Sequence, residues 1–278
     1  MANRTARALA PDDGLCEPVV VDAFGRGAET LQLRPRPSGD PVAEKECARR
    51  RVLRELGLAS LVSTEFLDIS EGHRQHARQQ GEPGTFVVDG LTIEAPAGVY
   101  HPTPDSSSLL FIRNIMAMNK PAIPRTLEIG TGCGAISLFV AKRYKAHVVA
   151  TDIAPLPLEA ARRNAARNGL SLELIESDLF ESVNERDFDL IVFNVPLIDK
   201  EPEDDLERAN LCDPGGRILK RFIENAGAYL AKDGLIIFSA CSNTAYEVLD
   251  GVDLQFHIVG MELVGDGFWR AIVGAQRR

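Results

Sequence analysis

The sequence predicts a doubly wound α/β protein with a mostly parallel, seven-stranded sheet, preceded by a helical cap and a β-hairpin. Three observations predict this class. From Thr126 onward, apolar strand-like segments alternate with helical segments, and a glycine-rich turn follows the first strand. Consecutive strand–helix–strand units take right-handed crossovers, which leave a parallel sheet covered by helices on both faces. The chain of 278 residues, 45% hydrophobic and 26% charged, is long enough to bury such a core.

Charge, cysteine content and hydropathy exclude several other classes. The net charge of −9 repels a phosphate backbone, so no nucleic-acid partner is expected. Five scattered cysteines without a C-x-x-C pair indicate neither a disulfide framework nor a zinc site, and no metal is predicted. No apolar run approaches the ~18 residues of a membrane span, and no signal peptide is visible. We therefore expect a cytoplasmic protein with no membrane partner.

The N-terminal part is predicted to form an arm, a helical cap and a hairpin. Prolines interrupt residues 1–40, where Val19–Val21 is a candidate short strand. Apolar residues recur at helical spacing over Glu44–Leu58, which predicts the cap. The polar residues 71–83 indicate a loop. Residues 86–93 predict a hairpin, because their central Asp-Gly pair supplies the positive φ angles of a tight turn.

The rest of the chain is predicted to hold strands joined by helices. The stretch near 214–231 illustrates a helix, since Ile218, Phe222, Ile223, Ala226 and Leu230 share one face. The predicted strands span residues 126–129, 147–152, 171–176, 188–194, 234–240, 255–261 and 268–274.

A glycine-rich turn follows the first of these strands and predicts a small-molecule site. Glycines there allow a tight turn and close approach of a ligand to the N-terminus of the next helix. Gly130, Gly132 and Ala135 also fit the dinucleotide fingerprint, with Asp152 about 20 residues further on. Nicotinamide binding and a purely structural turn therefore stay open at this point.

Carboxylates at the strand ends favour S-adenosylmethionine as the cofactor. Glu128 would repel a pyrophosphate but attract a cationic amino group. Asp152 can accept both ribose hydroxyls, which fits either cofactor. Asp178 follows the third strand and can accept from an adenine amino group, with Ile153 and Leu179 flanking the ring. Capping of a short helix is an equal alternative for Asp178.

Asn194 directly follows the fourth apolar strand and is the predicted catalytic residue. Its side-chain carbonyl can accept a hydrogen bond from the N–H of a substrate, and Pro196 fixes the turn that presents it. We expect both residues at the reaction centre.

The segment from Gly98 to about Asn243 resembles the HemK/PrmC group of class I S-adenosylmethionine-dependent methyltransferases. The resemblance rests on the motifs Gly-Val-Tyr-His-Pro-Thr-Pro-Asp-Ser from Gly98, Glu-x-Gly-x-Gly-x-Gly from Glu128, Asp152, Ser-Asp-Leu-Phe from Ser177, and Asp-Pro-Gly-Gly from Asp213.

That resemblance implies a Rossmann-like catalytic core over residues 98–278. Residues 1–97 lie outside it, and their predicted arm, helical cap and hairpin are expected to form a lid and substrate region. The resemblance also implies that Gly130, Gly132, Asp152 and Asp178 hold the cofactor and that Asn194 meets the nitrogen being methylated. We also expect Asn194 to contact the cofactor. Tyr100 is expected to help close the cofactor site.

The catalytic turn departs from the family pattern, Asn-Pro-Pro-Tyr, because this chain has Asn-Val-Pro-Leu at 194–197. The aromatic ring that packs on a planar amide is therefore lost. Residues 199–207 then bring six carboxylates against one lysine, and paired carboxylates match a guanidinium. A solvated acidic loop is the plain alternative. The predicted catalytic carboxylates are Glu201, Glu203, Asp204 and Asp205.

The expected function is N-methylation of a small polar metabolite, with a cationic amino acid such as free arginine as the first candidate and natural-product biosynthesis as a context. The alternative is a HemK/PrmC-like protein glutamine N5-methyltransferase. An NAD(P)-dependent oxidoreductase and a non-catalytic adenosine-binding protein are retained from other classes, although no Tyr/Lys or His acid–base set lies beside the glycine turn.

Overall fold

A computed structural model describes residues 40–61, 80–118, 122–265 and 268–278. In chain order its elements are α1 (Pro41–Glu55), β1 (Gly84–Val88), β2 (Leu91–Ala95), α2 (Ser107–Ala117), β3 (Arg125–Ile129), α3 (Ala135–Tyr144), β4 (His147–Asp152), α4 (Pro155–Arg167), β5 (Glu173–Glu176), β6 (Phe188–Phe193), α5 (Asp205–Asn210), α6 (Arg217–Ala226), β7 (Leu230–Cys241), β8 (Gln255–Gly265) and β9 (Phe268–Gln276). Short 3₁₀ turns cover Pro214–Gly216 and Tyr246–Leu249.

The main sheet has the strand order β5-β4-β3-β6-β7-β9-β8. Strands β3 to β7 run parallel, while β9 is antiparallel to both β7 and β8. This confirms the predicted doubly wound, seven-stranded fold. The chain order reverses between β3 and β6, and in such sheets ligands bind at the carboxyl ends of the strands beside this switch point.

The observed strands follow the apolar pattern except where polar residues extend them. β7 begins at Leu230, four residues before the predicted strand, although Lys232 and Asp233 are not buried. Leu230 pairs with Phe188 across a register shift, and this pairing continues the strand through the polar residues. The cause is a cross-strand partner, which the local hydrophobic pattern does not contain.

The predicted helix near 214–231 is divided by its glycines and is also too long, because α6 ends at Ala226 and Leu230 begins β7. Gly215 and Gly216 take left-handed φ angles of 68° and 62°, so only a 3₁₀ turn forms before α6 begins at Arg217. Asp213 is buried and accepts from the backbone N–H groups of Ile218 and Leu219, both at 2.9 Å. These bonds fix the start of α6 against the end of the preceding loop.

The predicted hairpin is present as β1 and β2. Asp89 and Gly90 have φ angles of 48° and 72°, as a tight primed turn requires. The hairpin lies along α4, because Asn164 bonds both backbone groups of Glu94 and Asn168 bonds both backbone groups of Thr92, at 2.8–3.0 Å. One side chain in α4 and one directly after it thereby satisfy backbone hydrogen-bonding groups of β2.

Helix α1, the predicted cap, begins at Pro41 after Asp40, whose side chain accepts from the Val42 N–H at 3.0 Å. Its apolar residues join the same buried cluster as the strands of the main sheet. Arg51 also forms a two-pronged ion pair with Asp250 at 3.0 and 2.6 Å. The cap is therefore packed directly on the core, and the division at residue 97 stays a prediction.

Two predictions lie outside the described residues, namely the short strand Val19–Val21 and most of the loop at 71–83. Among the helices of the described ranges, none combines the length and apolar character needed to cross a membrane.

Candidate active site

The candidate site lies where β3, β4 and β6 end. Ile129 of β3 pairs with Phe193 of β6, so the next residues along these neighbouring strands are Gly130 and Asn194. Parallel neighbours lie about 5 Å apart. The pairing therefore brings the glycine turn and the predicted catalytic residue to the same edge of the sheet.

The glycine turn has a conformation that side chains would prevent. Gly130, Gly132 and Gly134 have φ angles of 63°, 55° and 84°. A Cβ on Gly130 would lie 3.1 Å from a ring carbon of Phe193. The N–H of Thr131 donates to Thr151 at 2.8 Å and ties the turn to β4. Because these three positions carry no Cβ, a ligand can approach the backbone of the turn closely.

Glu128 lies beneath this turn, with only 2% of its surface exposed. Its Oε2 accepts from the Thr131 hydroxyl and the Ser137 N–H, both at 2.9 Å, and from the Ser137 hydroxyl. Burial raises the pKa of Glu128 to about 7. The side chain thus holds the turn and the start of α3 together. Its predicted attraction for a cationic group stays a prediction.

Stability should depend on pH through Glu128. Its folded pKa of about 7 exceeds its ordinary value of 4.5, so folding retains a proton that the unfolded chain releases. The stability present below pH 4.5 is therefore lost as pH rises through 7. Relative to Glu128→Gln, which does not titrate, wild type should lose about 3 kcal/mol in free energy of unfolding between pH 4.5 and 8. Urea unfolding at both pH values measures this difference. A difference between the two proteins that stays constant with pH would contradict the assignment.

Asp152 connects the glycine turn to the end of β4. Its Oδ2 accepts from the Gly132 N–H at 3.0 Å and its Oδ1 from the Ala154 N–H at 3.2 Å. Burial raises the pKa of this carboxyl group. Each oxygen still has a second lone pair, which suits the ribose hydroxyls. The adjacent Ile153 has 67% of its surface exposed, as an apolar side chain that covers a nucleobase would. These residues fit an adenosyl cofactor.

Asp178 lies in the turn after β5 and does not cap a helix. Its Oδ2 instead accepts from Nη2 of Arg221 at 2.9 Å. The neighbouring Leu179 has a left-handed φ of 52°, and Ser177 braces the turn by accepting from the Ser182 N–H at 2.9 Å. Arg221 and Ser137 were not predicted as site residues, because neither forms part of a motif.

Tyr100 packs beside the glycine turn. Its hydroxyl lies 2.9 Å from the Ser107 hydroxyl and accepts from the Ser107 N–H at 3.2 Å. The thiol of Cys133 donates to the Tyr100 carbonyl at 3.6 Å. Val99 lies 3.8 Å from the Cβ position of Gly132. The segment before α2 is therefore fixed on the predicted cofactor site.

Asn194 is half-buried, and its side chain makes no hydrogen bond to any other residue in the described ranges. The turn behind it is held through the main chain. The Val195 carbonyl accepts from the Ser239 hydroxyl at 3.1 Å, and the Leu197 carbonyl accepts from the Thr244 hydroxyl at 2.8 Å. Pro196 lies between these anchors. A fixed backbone thus carries an amide group that is available to a substrate.

The four carboxylates predicted to be catalytic are Glu201, Glu203, Asp204 and Asp205. Asp204 caps α5 by accepting from the Glu207 N–H at 2.8 Å, and Glu203 pairs with Lys200 at 2.9 Å. The Asp205 side chain is fully exposed. Glu201 is also exposed. These carboxylates are therefore paired locally or exposed to solvent, and within the described residues none of the four is joined to Asn194 by a hydrogen bond.

Residues 90–264 match a family model described as the methyltransferase small domain. The match spans the hairpin strand β2, the glycine turn, Asp152, Asp178 and the turn at Asn194. The candidate site thus lies entirely within the matched region.

Two curated relatives extend this finding. A putative protein N5-glutamine methyltransferase of Methanocaldococcus jannaschii is 33% identical over 154 residues, which cover 54% of this chain and 75% of the relative. A release factor glutamine methyltransferase of Streptococcus pneumoniae is 34% identical over 171 residues, covering 56% of this chain and 60% of the relative. The chain thus spans between three fifths and three quarters of these relatives.

The 16S rRNA N2 G1207 methyltransferase of T. thermophilus, solved with AdoMet and guanosine, superposes with a TM-score of 0.54 at 21% identity. The superposition covers 71% of this chain and 50% of that one. It supports the fold of the core.

The prediction of a small cationic acceptor, with free arginine as the first candidate, is wrong. The curated relatives are named for glutamine in proteins, which favours a protein partner over a small molecule. The physical basis also fails, because Glu203 and Asp204 have local partners and Asp205 faces solvent. The acidic composition of residues 199–207 therefore did not indicate a binding site for a guanidinium group. The nicotinamide alternative is likewise wrong, since the family is one of S-adenosylmethionine-dependent enzymes.

Proposed function

The chain belongs to the methyltransferase small domain family of S-adenosylmethionine-dependent methyltransferases, and on that premise we propose that it methylates the side-chain amide nitrogen of a glutamine residue in a protein. The names of the curated relatives support this acceptor, and a translation release factor is the first candidate partner. The proposal keeps Asn194 as the predicted catalytic residue but replaces the predicted small metabolite with a protein as the methyl acceptor.

The observation that carries the proposal is the amide of Asn194, which lies at the same sheet edge as the glycine turn and makes no hydrogen bond to the part of the chain that the structure describes. A carboxamide offers one acceptor oxygen and two N–H donors, which are the complement of another carboxamide. Asn194 can therefore accept from the glutamine N–H and donate to the glutamine carbonyl. Such a pair fixes both the position and the rotation of the acceptor group.

Positioning supplies the main catalytic effect, because an amide nitrogen is a weak nucleophile. When bound, S-adenosylmethionine supplies an electrophilic methyl group on a sulfonium. Asn194 would hold the acceptor nitrogen toward that methyl group, and its carbonyl would stabilise the positive charge that develops on the nitrogen. As the nitrogen–carbon bond forms, the carbon–sulfur bond would break to leave a neutral thioether, and the nitrogen would release one proton to water. Orientation of this kind can contribute ~7 to 11 kcal/mol.

Leu197 stands where the family pattern has an aromatic residue, and it suits an amide acceptor in another way. Its side chain packs against a small apolar cluster that includes Cys241 and Phe268. An aliphatic surface can cover one face of a planar amide and exclude water from it. We propose that Leu197 offers such a surface in place of the aromatic ring.

The experiment incubates the protein with methyl-labelled S-adenosylmethionine, a release factor and a pool of free amino acids including arginine. We expect label in the protein fraction and none in the amino-acid fraction above a control without enzyme. Label in free arginine with an unmodified release factor would contradict the proposal.

A further inference from the structure

The turn that carries Asp178 is packed against α6. Phe180 in this turn stacks on Phe222 of α6, with ring centroids 5.7 Å apart and planes inclined by 15°. The adjacent Arg221 donates from Nη2 to Oδ2 of Asp178 at 2.9 Å and lies 3.4 Å from Glu181. One turn of α6 therefore anchors this segment through both an apolar and a charged contact.

We propose that Arg221 is a positioning residue that holds the Asp178 carboxylate for the adenine amino group of the cofactor, so that α6 determines the nucleobase selectivity of the pocket. The inference concerns the cofactor and goes beyond the proposed acceptor.

The acceptor positions that remain on the Asp178 carboxylate support this role. Arg221 occupies Oδ2, whereas Oδ1 accepts no hydrogen bond from the described residues. An ionised carboxylate is an acceptor only, so it favours the amino group at position 6 of adenine. It disfavours hypoxanthine, because the oxo oxygen at position 6 would lie against a carboxylate oxygen, and both are acceptors. Ile153, exposed beside Asp152, lies on the neighbouring strand end and is available to cover the same base.

Asp178 needs a fixed orientation to discriminate in this way. Its side chain is 36% exposed, and water would otherwise compete for the carboxylate and allow it to rotate. A charge-assisted bond from Arg221 reduces that freedom before the ligand binds. The Arg221 side chain is itself 50% exposed, and ion pairs this exposed contribute little to folding. Selectivity and stability should therefore respond differently to its removal.

The test measures binding of S-adenosylhomocysteine and of S-inosylhomocysteine, its 6-oxo analogue, by calorimetry. Wild type should prefer the adenosyl ligand at least tenfold. Arg221→Ala should weaken adenosyl binding about five- to tenfold and change inosyl binding less than twofold. Arg221→Lys should lie between, because lysine keeps the charge without the planar fork. Lys220→Ala is the matched control, since Lys220 lies next to Arg221 on α6 and contacts Glu224 rather than Asp178.

A double-mutant cycle with Asp178→Ala completes the test. In that background Arg221→Ala should have no further effect on adenosyl binding, and every variant should melt within about 2 °C of wild type. Equal weakening of both ligands, no weakening of either, or a wild-type protein that does not distinguish them would overturn the proposal. Both ligands lack the methyl group, so the result is independent of whether glutamine is the acceptor.

Discussion

Replacement of Asn194 by alanine should lower kcat for methyl transfer about a hundred- to a thousandfold while cofactor affinity changes less than about threefold. Removal of one preorganised group that acts on developing charge typically has an effect of this size. Asn194 makes no hydrogen bond to the described residues, so its removal breaks none of the hydrogen bonds among them. We expect the free energy of unfolding to change by less than about 0.5 kcal/mol.

Asn194→Asp is the matched control, because it keeps the size and one acceptor but loses both N–H donors. It should also be strongly impaired if the carboxamide pairs with the acceptor amide, since a carboxylate cannot donate to the glutamine carbonyl. Single-turnover kinetics with a release factor and calorimetry with S-adenosylhomocysteine separate the two effects. A near wild-type kcat for Asn194→Ala would contradict this role and would mean that another group orients the substrate.

Replacement of Asp152 by alanine should weaken S-adenosylhomocysteine binding about ten- to a hundredfold. The Asp152 carboxylate has two roles, and the substitution removes both. It accepts from the N–H groups of Gly132 and Ala154, which shapes the turn, and it offers lone pairs to the ribose hydroxyls. Hydrogen bonds to a charged group contribute ~1.5 to 3 kcal/mol each.

Two variants make the Asp152 result specific. Asp152→Asn keeps one acceptor oxygen and should retain part of the affinity. Glu176→Ala removes an exposed carboxylate from the residue that pairs with Asp152 on β5, and it should leave binding unchanged. Calorimetry at constant ionic strength measures all three. Equal losses for Asp152→Ala and Glu176→Ala would indicate a general effect of charge and contradict direct binding by Asp152.

The fold was predictable because strand-forming segments and glycine turns are local signals. The strands around β3, β4 and β6 were found within one or two residues, since they are continuous apolar runs bounded by polar residues. The predicted start of β7 was four residues too far along the chain. Pairing with Phe188, which is distant in sequence, extends the strand back to Leu230. The division of the helix after Asp213 depends on left-handed glycines, which helical periodicity does not reveal.

The residues of the candidate site likewise divide into those that local sequence signals predict and those that they do not. Gly130, Asp152 and Asn194 were predicted because each ends or directly follows a strand, and parallel strands bring such residues to one edge. Arg221 was not predicted, because it reaches Asp178 from a separate helix and belongs to no motif. The acidic segment gave a wrong acceptor because composition does not show which carboxylates already have partners, as Asp204 does in capping α5.

The central claim is that the edge formed by the glycine turn and Asn194 transfers a methyl group to a glutamine amide in a protein. Tandem mass spectrometry of a release factor treated with the protein and S-adenosylmethionine tests it most directly, with Asn194→Ala as the matched enzyme control. We expect one added methyl group on the side-chain nitrogen of a glutamine, absent with Asn194→Ala and absent when that glutamine is replaced by glutamate. Methylation of arginine, lysine or a main-chain amine by the wild-type protein, with every glutamine unmodified, would contradict the claim.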